Sequence, residues 1–128
     1  LCIYDPQKMT LQYAGAHNPL ILIRNGELRE FKADMMPIGI HIVEEKNFRN
    51  HNIKVEKGDC FYIFSDGYQD QFGGEKGKKF LSRSMKRMFC DIHQLPMNEQ
   101  KVAVEKNLDE WMKGHEQVDD IIILGLRI

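Results

Sequence analysis

Asp66 and the pair Asp119-Asp120 are the residues of this sequence best placed to do chemistry. Asp66 stands in Phe64-Ser65-Asp66-Gly67, directly after an apolar, strand-like run. A carboxylate at a strand end is free to point into a cleft, and the glycine beside it lets the backbone turn sharply. Asp119 and Asp120 adjoin the last apolar run, Ile121 to Leu124. Two like charges beside a buried strand are costly unless something positive compensates them. With no cysteine or histidine pattern around them, such aspartates point to a hard cation bound through oxygen, Mg²⁺ or Mn²⁺. Taken singly, each aspartate is better read as a turn cap, because Asp-Gly is among the commonest turn dipeptides.

The other polar residues carry weaker signals. His17, beside Asn18-Pro19, reads as the anchor of a loop through hydrogen bonds, although it could also position a phosphate or donate a proton. His41, His51, His93 and His115 have no ligand-like spacing to one another or to cysteine, which argues against zinc. Ser65 lacks the G-x-S-x-G elbow of a nucleophilic serine, and the sequence ties no histidine to it. Gly73-Gly74-Glu75-Lys76-Gly77-Lys78-Lys79 is not a P-loop, since Lys79 stands where Ser or Thr should follow Lys78. It is expected to be a mobile, solvated loop whose lysines could attract an acidic phosphoprotein.

Strands should position these groups. Leu1 to Tyr4 and Thr10 to Ala14 flank turn residues at Asp5 to Lys8. Leu20 to Arg24, Asn25-Gly26 and Glu27 to Lys32 form the strongest hairpin signal, because Asn and Gly accept the positive φ angles of a type I′ turn. Phe48 to Val55 and Cys60 to Ser65 predict two more strands around Glu56 to Asp59. The period then changes. Phe80, Leu81, Met85, Met88 and Phe89 recur at helical spacing, as do Val104, Leu108, Trp111 and Met112 in a helix that Pro96 can start and Gly114 can end. These stripes are core faces. A last strand, opened by Val118 and expected to be buried, completes an α+β layered domain.

Composition bounds the function. The 128 residues suffice for one domain, and 42% hydrophobic with 29% charged residues is ordinary for a soluble globular chain. The net charge of -1 disfavours a general nucleic-acid-binding surface. No apolar run approaches the roughly 18 residues needed to span a bilayer, so no membrane contact by this segment is expected. Cys2, Cys60 and Cys90 cannot all pair and form no C-x-x-C, which reads as a reduced, cytoplasmic chain. Leu1 begins what looks like a strand already under way, so the chain is expected to be cut from something longer.

Read together and in order, the motifs resemble those of the SpoIIE-like branch of the metal-dependent serine/threonine phosphatases, the protein phosphatase 2C type. Leu11-Gln12-Tyr13-Ala14-Gly15-Ala16-His17-Asn18-Pro19-Leu20 is similar to the family's A-G-H-N-P segment, with one alanine inserted. Met36-Pro37-Ile38-Gly39-Ile40, Lys57-Gly58-Asp59, Phe64-Ser65-Asp66-Gly67-Tyr68 and Val118-Asp119-Asp120-Ile121 follow in the family's order over nearly the whole chain. The strings Asp70 to Gly74 and Gly77 to Phe80 look like a branch attached to bacterial signalling sensors.

The resemblance implies the C-terminal part of a β-sandwich flanked by helices, residues 1–128 forming a single partial domain. It implies a two-metal Mn²⁺ or Mg²⁺ site that activates water against phosphoserine or phosphothreonine on a signalling protein, such as an anti-sigma-factor antagonist. Carried over by motif, Asp66 and Asp119 would be metal ligands, with Gly67, Asp120, His17 and Asn18 in supporting roles. The family's upstream aspartate strand and its D-x-x-G-H-G-like segment have no match here, so the isolated chain is expected to be inactive. Two alternatives remain open from the sequence: a phosphatase-like module that binds a phosphoprotein without hydrolysing it, and a homo-oligomer paired through exposed sheet edges.

Overall fold

The computed structural model describes residues 1–39 and 47–128, so Ile40 and His41 lie outside the described residues. In chain order the elements are β1 (Cys2–Asp5), β2 (Thr10–Tyr13), β3 (Leu20–Arg24), β4 (Glu27–Phe31), β5 (His51–Lys54) and β6 (Cys60–Phe64). They continue with α1 (Gly67–Asp70), β7 (Phe72–Gly73), β8 (Lys78–Lys79), α2 (Ser82–Ile92), α3 (Met97–Met112) and β9 (Ile123–Arg127).

β3 and β6 organise the layers, and their sequences say why. Leu-Ile-Leu-Ile and Cys-Phe-Tyr-Ile-Phe are apolar without interruption, the pattern of strands covered on both faces. Alternate side chains leave a strand on opposite sides. Leu20, Leu22 and Phe61 therefore meet Leu11, Tyr13, Ile53 and Val55 of the facing sheet, whose strand order is β1-β2-β5. Ile21, Ile23, Cys60, Tyr62 and Phe64 turn the other way, onto Tyr68, Met85 and Phe89. The result is a three-stranded sheet, a four-stranded antiparallel sheet of order β4-β3-β6-β9, and a layer of helices: the expected α+β sandwich with flanking helices.

The predicted hairpin is present, with Leu20 opposite Phe31 and Arg24 opposite Glu27, and positive φ at Asn25 (51°) and Gly26 (81°). In α2 the buried residues Met85, Met88, Phe89 and Ile92 keep helical spacing, and Phe89 stacks on Tyr62 with ring centroids 4.2 Å apart. Burying a side chain of that size contributes about 1.5–3 kcal/mol. Pro96 caps α3 and Gly114 follows its end, as expected.

Three expectations are corrected. Leu81 is not part of the helical stripe: it precedes α2 with a φ of 72°, donates its N–H to the Gln69 carbonyl and is exposed. The glycine-lysine stretch is solvated as expected, with Glu75 to Lys79 exposed, but it forms the β7–β8 hairpin, docked on α3 by a hydrogen bond from the Gly74 N–H to the Trp111 carbonyl (2.9 Å). The last strand is not buried. It starts at Ile123 and, among the described residues, lies at the end of its sheet beside β6 alone; Leu124 is 55% exposed and neither it nor Leu126 joins the inter-sheet core. Among the described residues no helix is long and apolar enough to cross a membrane.

Candidate functional site

Strand register brings the candidate residues to one end of the four-stranded sheet. β3 and β6 are antiparallel with Ile21 opposite Tyr62, so the start of β3 lies beside the end of β6. β6 and β9 are antiparallel with Phe64 opposite Ile123, so the start of β9 lies there too. His17-Asn18-Pro19, Ser65-Asp66-Gly67 and Asp119-Asp120 each adjoin one of those three ends.

Beyond the last ladder pair the two aspartate segments are fastened together. Ser65 donates its N–H to the Ile122 carbonyl (3.0 Å), its hydroxyl donates to the Asp120 carbonyl (2.8 Å), and the same oxygen accepts the Ile122 N–H (3.0 Å). Gly67 is a glycine because of this closure: a Cβ there would lie 2.3 Å from the Asp120 carbonyl oxygen, where no side chain fits. On the far side of the loop, the Val118 N–H reaches the Gln71 Oε1 (3.3 Å).

The aspartates are not equivalent to turn caps. Asp5 is what such a cap looks like: its Oδ1 accepts the N–H groups of Gln7 and Lys8 (both 3.0 Å). The backbone hydrogen bond from Lys8, more than any other contact, holds its carboxyl below the usual range. Asp66 occupies the N-cap position of α1, yet its exposed side chain makes no capping hydrogen bond. Asp119 uses Oδ1 for the Asp120 N–H (2.7 Å). Among the described residues none of Asp66, Asp119 and Asp120 is ion-paired.

These carboxylate oxygens, of which Asp119 Oδ1 alone is shown accepting a hydrogen bond among the described residues, fit a hard cation in kind. In number they supply part of a site, since no group of three acidic, histidine or cysteine side chains converges among the described residues. A cleft of about 620 Å³ between α3 and β9, lined by Tyr62, Val104, Leu108, Ile121 and Ile123, does not include the aspartates.

His17 is exposed, with a φ of 61°, and its N–H donates to the Asp34 carbonyl (2.9 Å). The Asn18 carbonyl accepts the Tyr13 hydroxyl. Burial pushes that phenol up to about 12. The loop is anchored to β2 and to Asp34, and none of these hydrogen bonds reaches the aspartates. His51 packs on Tyr13 and Phe31, and His93 bonds the Cys90 carbonyl.

Sequence reading missed Gln71, which is fully buried and ties four segments together. Its Nε2 donates to the Phe72 and Glu116 carbonyls, its Oε1 accepts from Val118, and its own carbonyl accepts the Trp111 indole N–H and the Phe80 N–H. It missed Gln100 likewise, which accepts the buried Tyr62 hydroxyl (2.8 Å). A glutamine in a polar stretch gives no sign of burial.

The architecture is that of the protein phosphatase 2C-type domains. The SiaA PP2C domain of Pseudomonas aeruginosa superposes with a TM-score of 0.88 at 35% identity, over 97% of this chain and 48% of that one. The PP2C phosphatase domain of the cell fate determinant SpoIIE from Bacillus subtilis, solved with a fragment of its regulatory domain, gives 0.76 at 21% identity, over 99% of this chain and 36% of that one. A manganese-presoaked form of the SpoIIE phosphatase domain gives 0.69 at 20% identity, over 100% and 54%. The chain belongs to the SpoIIE family: the model for stage II sporulation protein E matches residues 1–128. It thus spans about half the length, or less, of two of these structures and little more than half of the third. No curated protein matches it.

Proposed function

We propose that the protein carrying this chain is a metal-dependent protein serine/threonine phosphatase in bacterial signalling, acting in the cytoplasm on a phosphorylated regulator of the anti-sigma-factor-antagonist kind. The observation that carries this reading is the Asp66 carboxylate, exposed at the end of a buried strand and committed to no cap or ion pair among the described residues. Family membership and the 35% identity to the SiaA PP2C domain support it. The choice of Mn²⁺ or Mg²⁺ rests on the carboxylate oxygens, which suit either ion; the SpoIIE phosphatase domain has been soaked with manganese.

In this reading Asp66 and Asp119 bind metal, while the remaining ligands are residues beyond those described. The chemistry supplied by such ions is an activated water for in-line attack on a phosphomonoester. Gly67 admits the Asp120 carbonyl close to the site, and Asp120 fixes Asp119 by donating its N–H to Oδ1. His17 and Asn18 hold the loop that enters β3 at the same end of the sheet.

The test is hydrolysis of a phosphoserine peptide by the full natural protein with Mn²⁺, with chelator and with Asp66→Ala. Turnover that needs metal and disappears in Asp66→Ala is expected. Tight peptide binding without turnover would instead make the chain part of a phosphoprotein-binding module.

A further inference from the structure

The loop that bears Asp119 is not held by burial. Residues 113–120 are all exposed, and Val118 and Ile122 on either side of the aspartates are 55% and 65% exposed. The first side chain packed on the core is Ile121. Without the hydrophobic effect to locate it, an exposed segment samples many conformations, and two flexible carboxylates make a poor metal site. Hydrogen bonds must do the locating. At the front of the loop, Gln71 takes the Val118 N–H and the Glu116 carbonyl (2.8 Å). At the back, one hydroxyl takes both a donor and an acceptor: Ser65 Oγ receives the Ile122 N–H and donates to the Asp120 carbonyl, bracketing Ile121 between its two bonds.

The residue that makes these bonds is also the one directly before Asp66. A single side chain therefore ties one aspartate segment to the backbone of the other, at the point where the β6–β9 ladder has ended at Phe64 and Ile123. We infer that Ser65 is a positioning residue, whose hydroxyl sets the Asp119-Asp120 segment against Asp66 so that the carboxylates can share a metal centre. The inference rests on the metal-dependent reading above. It assigns Ser65 no contact with substrate and no nucleophilic role.

The test compares Ser65→Ala with Ser65→Thr in the full natural protein. Threonine keeps the hydroxyl and its β-branch suits an extended backbone; alanine removes both bonds. Three quantities are read: amide hydrogen exchange at Ile122 without metal, Mn²⁺ affinity by electron paramagnetic resonance titration without substrate, and kcat against KM for a phosphoserine peptide. In Ser65→Ala, faster Ile122 exchange and Mn²⁺ affinity lower by about 10–100-fold are expected, the range for losing an outer partner of a metal ligand. The loss should fall on kcat at saturating peptide more than on KM, and Ser65→Thr should restore native values. Native Mn²⁺ affinity in Ser65→Ala would overturn the inference while leaving the phosphatase reading intact, as would a threonine variant no better than alanine. Failure of the unmutated protein to bind Mn²⁺ at all would overturn both.

Discussion

The two ends of β6 carry aspartates with opposite fates. At the start of the strand, Asp59 is 1% exposed. Arg24 grips it with Nε (2.8 Å) and Nη2 (2.6 Å), and the Glu56 N–H donates to it (2.9 Å). At the other end Asp66 is exposed and unpaired among the described residues. In sequence both are aspartates beside a glycine at the border of an apolar strand. The difference is a cross-strand neighbour. The β3–β6 register continues from Ile23 opposite Cys60, putting Arg24 at the level of Asp59, and the guanidinium pays for burying the charge. The hydrogen bond to Asp59 is also the main reason the Arg24 guanidinium is held above its ordinary value. At the Asp66 end the adjoining segments contribute His17-Asn18 and Asp119-Asp120 instead. One aspartate is spent on structure and the other is left available.

Substitution should separate the two roles. Asp59→Ala removes the buried acceptor of Arg24 and of the Glu56 N–H, while Arg24 keeps Glu56 and the Lys54 carbonyl, and should destabilise the fold by about 1–3 kcal/mol in urea unfolding. The contrast collapses if that variant unfolds like the native protein. Gly67→Ala forces a Cβ against the Asp120 carbonyl. It should cost about 1–3 kcal/mol, the range for overpacking, and lower Mn²⁺ affinity in the same titration. Asp66→Ala removes an exposed carboxylate and should shift stability by no more than about 0.5 kcal/mol while abolishing Mn²⁺-dependent turnover. A large stability loss there would mean that Asp66 is structural after all.

The smallest effect concerns Tyr13, which anchors the loop at Asn18. Burial raises its phenol from 10.0 to about 12, so the folded state holds its proton more tightly than the unfolded state does. That contribution is complete below pH 10 and is lost as pH rises toward about 12. Tyr62 and Tyr68 are raised by burial too and add to the same alkaline loss. Thermal melts across that window should fall less steeply for Tyr13→Phe than for the native protein. Equal slopes would show that the phenol titrates alike in both states.

Much of this fold was legible in the sequence because its signals are local. Unbroken apolar runs announced β3 and β6, Asn25-Gly26 announced the hairpin, and helical spacing announced Met85, Met88 and Phe89. Failures came where a local pattern served a distant contact. A stretch that read as an irregular loop is a hairpin pinned through Gly74 to Trp111, and Gln71 and Gln100 look like surface residues but are buried. The apolar run at 121–124 read as buried, yet among the described residues β9 ends its sheet with a neighbour on one side only.

By itself the sequence determined the family and most strand and helix types, since these depend on side-chain chemistry and short-range periodicity. Only the tertiary structure decided which aspartate is neutralised and which stays free, and that Ser65 and Gln71 fasten the Asp119 loop. Those outcomes rest on pairings 35 to 57 residues apart in the chain, from Arg24–Asp59 to Ser65–Ile122. Strand register and helix docking create such contacts, and no local pattern encodes them.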